Sequence, residues 1–180
     1  DCLIIKNGRL LAQPFITMIV SNINERGMLG IALDPDFANN GWVYIYHTIN
    51  TNPAKNRIIR WTANGDVHQP GSEVIIKDFE DLTQGYHNGG ALHFGPDGKL
   101  YVAMGDNTRP ELSQSLNSTF GKVLRLNKDG SIPSDNPHCQ TQLLRCGVWA
   151  RGLRNPFTFA IQPGTGRMYI NDVGQDSFEE

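Results

Sequence analysis

Short runs of apolar residues alternate with clusters of turn-forming residues along most of the chain, and helical spacing of apolar positions is hard to find. The clearest case lies at residues 91–104, where two apolar runs, 91–94 and 100–104, flank the sequence Gly-Pro-Asp-Gly. Proline presets φ, aspartate bonds its own backbone and glycine tolerates positive φ, so this sequence favours a tight turn. The pattern therefore predicts a β-hairpin.

Two further hairpins with the same plan are predicted, one on either side of this one. Each combines an apolar run, a turn that contains proline and a strand with a tyrosine near its middle. The turn prolines Pro35, Pro96 and Pro163 lie 61 and 67 residues apart, which leaves room for two more strands between successive hairpins. Strand candidates do occur there, at residues 57–63, 73–79 and 121–127.

Four-stranded units that recur at such a period are typical of a β-propeller. We therefore expect an all-β protein made of about three four-stranded antiparallel blades. Because a blade cannot bury its faces alone, so few blades form an open arc, and the chain is expected to be part of a larger propeller. A two-sheet β-sandwich is the alternative fold, but it does not predict the repeat.

The totals exclude several classes of function. A chain of 180 residues suits a single domain, and a net charge of −2 offers no basic stripe for nucleic acid and no polybasic segment for an anionic membrane. No apolar run approaches the roughly 20 residues that span a bilayer. The chain begins at Asp1 rather than at methionine and shows no signal peptide, so we expect an excised or processed piece.

Three cysteines, Cys2, Cys139 and Cys146, allow more than one interpretation. Cys139 and Cys146 are seven residues apart across a polar loop, and they are predicted to form a disulfide in an oxidising compartment. Two separate thiols are the second alternative. A zinc site that includes His138 is the third, although it lacks a fourth ligand and the usual paired spacing.

The predicted central hairpin also brings two chemically interesting residues together. His87 precedes its first strand and Asp106 follows its second, and because the chain reverses at the turn, both lie at the same edge. A histidine that a carboxylate orients is a candidate general base. Either residue alone is more often structural or solvated, so the hypothesis rests on their pairing.

The repeat places ionisable residues at equivalent positions. Glu25, His87 and Arg154 precede their turn prolines by ten, nine and nine residues, and Asp106 and Asp172 follow theirs by ten and nine. In a propeller the first strand of each blade lines the central axis, so these residues are expected to converge at one mouth of the channel. The alternative is that they are unrelated turn residues.

Several segments, read together, resemble one known family. They are RGMLGIALDPDFANNGWVYI, HNGGALHFGPDGKLYVAMGD, GKVLRLNKDGSIPSDNP, GLRNPFTFAI and DVGQDSFEE. In order and spacing this set resembles the soluble quinoprotein glucose/sorbosone dehydrogenases, six-bladed propellers that bind pyrroloquinoline quinone (PQQ). The resemblance runs from about Glu25 to the C-terminus. It implies that residues 1–180 are a single fragment of a six-bladed propeller domain whose C-terminal blades are missing.

The resemblance implies a role for each matching residue. His87 matches the catalytic base that takes the proton from the anomeric hydroxyl while hydride passes to PQQ, and Asp106 matches the carboxylate that orients it. Arg154 and Asn155 match cofactor contacts. The Arg154 guanidinium would stabilise the negative charge that develops on the quinone oxygen. Glu25 and His87 are the implied substrate contacts.

The resemblance also implies a metal ion. Gly174 and Gln175 match the pair whose backbone carbonyls hold a catalytic Ca²⁺, a hard ion that prefers oxygen ligands. Three positions depart from the glucose enzyme: Glu25 and Val173 each replace a glutamine, and Gln175 replaces a proline. The further Lys and Arg contacts to the PQQ carboxylates lie beyond Glu180, so this chain is expected to hold only the catalytic side of the site.

These matches imply a periplasmic or secreted dehydrogenase that depends on PQQ and Ca²⁺. It would oxidise an aldose sugar to its lactone and pass the electrons to an external acceptor. The segment DVGQD also resembles the hedgehog-interacting-protein-like branch, so a non-catalytic propeller that binds a partner protein is the alternative. A propeller that binds sugar or calcium without redox chemistry is a third hypothesis.

Overall fold

The computed structural model describes residues 1–139 and 146–175, and in this part the chain consists almost entirely of β-strands and their turns. A small hairpin of β1 (Ile5–Lys6) and β2 (Arg9–Leu10) opens the chain. Two larger antiparallel sheets and a third hairpin follow it. Among the described residues, no helix has the length and the apolar character that a membrane span requires.

The first large sheet contains four main antiparallel strands, in the order β3 (Met28–Leu33), β4 (Trp42–Ile49), β5 (Lys55–Asn64) and β7 (Val74–Asp81). A two-residue strand, β6 (Val67–His68), pairs with the end of β5. The predicted turn after β3 continues into the one-turn helix α1 (Phe37–Asn40), which ends at Gly41 with a φ of 64°. Only a residue that tolerates the left-handed region ends a helix in this way, and glycine does so without steric cost.

The second sheet is the predicted central hairpin together with the next two strands, paired in chain order: β8 (Leu92–Phe94), β9 (Leu100–Met104), β10 (Lys122–Leu126) and β11 (Val148–Arg151). The turn of the hairpin lies where the sequence predicts it. The Gly98 N–H donates to the Gly95 carbonyl oxygen at 2.9 Å. A short 3₁₀ helix, Pro110–Leu112, lies in the connection between β9 and β10.

The third unit begins with the antiparallel hairpin of β12 (Pro156–Ile161) and β13 (Met168–Asp172). Its turn is longer than the predicted residues 162–164, because the Gln162 N–H donates to the Arg167 carbonyl oxygen at 2.8 Å. Within the described residues this unit therefore contributes two strands, where the repeat predicts a blade of four.

Alternate side chains of β9 pack against different neighbours. One apolar cluster joins β9 to the first sheet and includes Leu100, Val102, Met104, Tyr44 and Tyr46. Another joins β9 to the third hairpin and includes Tyr101, Ala103 and Phe159. Because successive side chains of a strand point to opposite faces, the second sheet is covered on both of them. Sheets stacked in this way form the predicted partial β-propeller, whereas a β-sandwich has a single core between two sheets.

The first strands of the two large sheets are close neighbours. β3 lies beside the segment that leads into β8. The backbones approach so closely that a Cβ at Gly30 would overlap the carbonyl oxygen of Gly90. This contact brings the starting segments of both sheets to one edge of the molecule.

The predicted disulfide is not formed in this structure, where Cys139 and Cys146 are thiols. The Cys139 Sγ lies 3.6 Å from the Cys146 carbonyl oxygen. Burial, with a contribution from the neighbouring Cys146 thiol, raises the pKa of Cys139 to about 11. Residues 140–145, which connect the two cysteines, lie outside the described part of the chain, and the disulfide stays a prediction.

His47 is a buried titratable residue of β4. His47 is only 3% exposed, and neither nitrogen of its ring has a hydrogen-bond partner among the described residues. Burial, assisted by the positive charge of Arg57, lowers the pKa of His47 to about 4. The folded protein therefore holds this ring in its neutral form at neutral pH.

We expect His47 to make stability depend on pH. In the unfolded chain its pKa is about 6.5, so between that value and the folded value of about 4 only the unfolded state binds the proton. The free energy of unfolding then falls, as pH decreases through this window, by up to ~1.4 kcal/mol per pH unit. Chemical unfolding across the window should show a shallower decline for His47→Leu than for wild type. Equal declines would contradict the assignment.

Candidate active site

Four strand ends meet at one edge of the second and third units. β8 and β12 begin there, and β9 and β13 end there, because each pair is an antiparallel hairpin. A cavity of about 560 Å³ lies at this edge, a size suited to a small-molecule ligand. Its wall includes four residues that the sequence singles out, His87, Asp106, Arg154 and Gln175.

His87 and Asp106 form a hydrogen-bonded pair, as the hairpin predicts. The His87 Nδ1 lies 2.7 Å from the Asp106 Oδ1, and the two side chains are 15% and 2% exposed. The same carboxylate oxygen accepts the backbone N–H of Thr108 at 2.7 Å, which fixes the carboxylate. In the tautomer that donates its Nδ1–H to Asp106, the Nε2 of the neutral ring keeps a lone pair and can accept a proton.

The backbone at this pair adopts an uncommon conformation. His87, Asn107 and Thr108 have positive φ values of 55°, 52° and 58°. Such conformations cost non-glycine residues about 1–3 kcal/mol each and concentrate at functional sites. Both backbone polar groups of His87 are bonded: its N–H donates to Glu25 Oε2 at 2.7 Å, and its carbonyl oxygen accepts the Asn107 N–H at 3.2 Å.

Glu25, the predicted substrate contact, is not part of the cavity wall. Its carboxylate accepts the His87 N–H, and its own N–H donates to the Gly85 carbonyl oxygen at 3.0 Å. The structure therefore gives Glu25 a part in holding the strained backbone of His87. Its contact with a substrate stays a prediction.

Asp172 fixes the start of the third hairpin. Its two carboxylate oxygens accept the backbone N–H groups of Arg154 and Asn155 at 2.8 and 2.7 Å. The Arg154 carbonyl oxygen accepts the Asp106 N–H at 2.7 Å, which joins the third unit to the second beside the histidine pair. The Arg154 Nη1 donates to the Val173 carbonyl oxygen at 2.9 Å, so the guanidinium on the cavity wall is oriented by the main chain.

Asn155, the second predicted cofactor contact, lies behind the wall of the cavity. It is 3% exposed, and its Oδ1 accepts the Gly89 N–H at 3.0 Å. This bond connects the third unit to the glycine-rich segment that follows His87. The structure thus gives Asn155 a structural contact, and its contact with a cofactor stays a prediction.

Gly174 and Gln175, the predicted calcium ligands, lie at the end of the described chain. Only Gln175 belongs to the cavity wall. Within residues 1–139 and 146–175, no group of three or more His, Cys, Asp or Glu side chains is placed to hold a metal ion. This also leaves the zinc alternative at Cys139 without support in those residues. Calcium ligation by backbone carbonyls at Gly174 and Gln175 stays a prediction.

Lys122 is a site residue that the sequence analysis did not single out. It is fully buried at the start of β10, where burial lowers its pKa to about 8. Its ammonium donates, at 2.9, 2.8 and 2.5 Å, to the backbone carbonyl oxygens of Leu112, Ser113 and Phe120. Ser113 belongs to the cavity wall, so Lys122 supports that wall from behind. A lysine in a strand gives no sequence signal of such burial, because most lysines are exposed.

Comparison with known proteins identifies relatives of this chain. The sequence profile of the family described as Glucose / Sorbosone dehydrogenase matches residues 2–180. The chain is 33% identical over 187 residues to quinoprotein glucose dehydrogenase B of Acinetobacter calcoaceticus, and the match covers 87% of this chain and 37% of that protein.

The chain is also similar to solved structures of sugar dehydrogenases and to Hedgehog-interacting proteins. The PQQ-bound form of aldose sugar dehydrogenase from Streptomyces coelicolor is 34% identical with a TM-score of 0.76, over 89% of this chain and 46% of that one. The human Hedgehog-interacting protein is 29% identical over 191 residues, which cover 91% of this chain and 27% of that protein. The chain therefore spans less than half the length of each of these three relatives.

Within the site, the main chain at Gly105 passes very close to the main chain at His87, so a substitution at Gly105 tests the geometry. A Cβ at Gly105 would overlap the His87 carbonyl oxygen and lie 2.9 Å from the Asn155 Oδ1. We expect Gly105→Ala to displace His87 from Asp106 and to destabilise the protein by ~1–3 kcal/mol. Gly147→Ala is the control, since its Cβ would make an ordinary 3.6 Å contact with Leu126. Thermal unfolding measures both, and equal stabilities would contradict the expectation.

Proposed function

The chain belongs to the glucose/sorbosone dehydrogenase family, and on that basis we propose that the protein carrying it oxidises an aldose at its anomeric carbon to the lactone, with PQQ as hydride acceptor. The observation that supports this best is the His87–Asp106 pair on the wall of the cavity. The choice of cofactor rests on relatives described as a quinoprotein and as PQQ-bound.

In this proposal His87 is the general base. Its Nε2 takes the proton from the anomeric hydroxyl, the anomeric C–H bond breaks with its electron pair leaving as hydride, and the C–O bond becomes a carbonyl. Asp106, buried and bonded to Nδ1, stabilises the imidazolium that forms. The proton and the hydride therefore leave the sugar toward different acceptors.

We propose that the cavity, with its volume of about 560 Å³, holds part of PQQ, a flat quinone with three carboxylates. When bound, PQQ supplies the carbonyl carbon that receives the hydride. Arg154 would stabilise the charge that develops on the quinone oxygen, since its guanidinium is held on the wall by the Val173 carbonyl. Arg154 is the one cationic residue on the described wall. We therefore propose that further blades, beyond residues 1–180, supply the other positive charges that bind the carboxylates of PQQ.

The same proposal includes a Ca²⁺ ion held by the backbone carbonyls of Gly174 and Gln175. A hard divalent cation there would offset carboxylate charge and polarise the quinone. It also includes contacts of Asn155 with the cofactor and of Glu25 with the sugar. We further propose that an external acceptor takes the electrons from the reduced cofactor and, from the chain's relation to quinoprotein glucose dehydrogenase B, that the protein is periplasmic or secreted.

A second candidate function is favoured by the 29% identity to the human Hedgehog-interacting protein. In this alternative the propeller is a binding module, and the loops at its rim contact a partner protein. The cavity would then be a feature of the fold without redox chemistry. The two candidates differ in one measurable property, which is sugar-dependent reduction of a dye.

We expect His87→Ala, in the full-length protein loaded with PQQ and Ca²⁺, to lower kcat at least ~10²-fold, the effect typical of a lost general base. His93→Ala is the matched control, because its ring packs on Phe159 at 4.8 Å between centroids and does not line the cavity. Dye reduction with a panel of aldoses measures both. Unchanged turnover of His87→Ala would refute its role, and an inactive wild type would favour the binding module.

Removal of divalent ions tests the calcium proposal. Chelation should abolish dye reduction by the full-length loaded protein, and Ca²⁺ should restore it better than Mg²⁺. The physical reason is that Ca²⁺ accepts irregular carbonyl ligation, whereas Mg²⁺ demands near-octahedral geometry and keeps its waters. Chelator already saturated with Ca²⁺ is the control. Turnover that persists after chelation would rule out an essential ion.

A further inference from the structure

Asn107 is a fully buried asparagine directly after Asp106, and within the described residues its side chain bonds to the segment that precedes His87. Its Oδ1 accepts the backbone N–H groups of Thr83 and Gln84 at 2.8 and 3.2 Å, and the Thr83 hydroxyl at 3.2 Å. Its Nδ2 donates to the carbonyl oxygens of Gln84 and Tyr86 at 2.9 and 3.1 Å. Both donors and the acceptor of the amide are thus used.

These bonds connect the two halves of the histidine–carboxylate pair. Asn107 is joined covalently to Asp106, its side chain holds residues 83–86, and its N–H donates to the His87 carbonyl oxygen. The held segment lies in the long connection between β7 and β8, so strand pairing does not fix it. Asn107 therefore contacts the chain on both sides of the pair, since it follows Asp106 directly and its side chain holds the segment that precedes His87.

Asparagine meets two requirements at this position. Its φ of 52° lies in the left-handed region, where asparagine is among the few non-glycine residues that occur readily. Its amide supplies donors and an acceptor together, whereas aspartate would place a charge beside backbone carbonyls and leucine would leave buried backbone groups without partners. Glycine would satisfy the backbone requirement alone, which makes the two requirements separable by experiment.

We propose that Asn107 is a positioning residue for the His87–Asp106 pair, an inference that rests on the proposed function of that pair. Asn107 does not line the cavity, so it acts through His87 and not on a ligand. Loss of its amide should therefore change the rate of the chemical step more than the binding of sugar. It should also weaken the hydrogen bond between His87 Nδ1 and Asp106.

The test compares Asn107→Gly with wild type in the full-length protein. Glycine keeps the positive φ and removes all five side-chain hydrogen bonds. We expect kcat to fall ~10-fold or more with KM changed less than ~3-fold, because small misplacements of a catalytic group are costly. In the cofactor-free protein, the ¹H NMR signal of the His87 Nδ1 proton should broaden or vanish.

Asn127→Ala is the matched control, since that amide bonds Lys99 and Ser131 at the opposite edge of the second sheet and should leave both readouts unchanged. If Asn107→Gly does not fold, Thr83→Ala, which removes one 3.2 Å bond, should lower kcat slightly and broaden the same signal. An unaltered kcat and signal in the folded variant would overturn the proposal. If wild type oxidises no sugar, the proposed function fails, and the NMR signal alone decides the role of Asn107.

Discussion

A sheet with two apolar faces needs a neighbour on each side, and the rest of this structure depends on that constraint. Alternate residues of β9, such as Val102 and Ala103, pack on the first sheet and on the third hairpin respectively. Burial of each large apolar side chain contributes about 1.5–3 kcal/mol, so stacking is strongly favoured over an isolated sheet. Stacked sheets share one edge where their hairpins begin and end, and the candidate site occupies that edge.

Polar contacts at this edge join each unit to the next. The Glu25 carboxylate binds the His87 N–H, the Asp106 N–H binds the Arg154 carbonyl oxygen, and the Asn155 amide binds Gly89. Each of these contacts includes a backbone group, so together they fix the main chain at His87, Asp106 and Arg154, whose side chains line the cavity. These contacts also stabilise the left-handed backbone of His87, because its N–H and its carbonyl oxygen both have hydrogen-bond partners.

The parts of the site that were predictable are those set by local chain reversal. His87 and Asp106 are 19 residues apart, and a four-residue turn between two apolar runs is sufficient to bring them together. The contacts of Glu25 and Asn155 were not predictable, since they join residues 62 and 66 positions apart on different sheets. The burial of Lys122 and the five side-chain bonds of Asn107 also depend on how loops pack against sheets, which periodicity does not describe.

The sequence by itself determined the hairpins, their repeat and therefore the stacked all-β architecture, because turn chemistry and strand alternation act over a few residues. It also determined the pairing of His87 with Asp106. Only the tertiary structure decided which polar side chains line the cavity and which bond to the backbone behind it. Arg154 lies on the wall and Asn155 behind it, although the two are adjacent in the chain. The reason is that each side chain has its own long-range partner: the Val173 carbonyl oxygen holds the Arg154 guanidinium on the wall, and the Gly89 N–H of the second unit holds the Asn155 amide behind it.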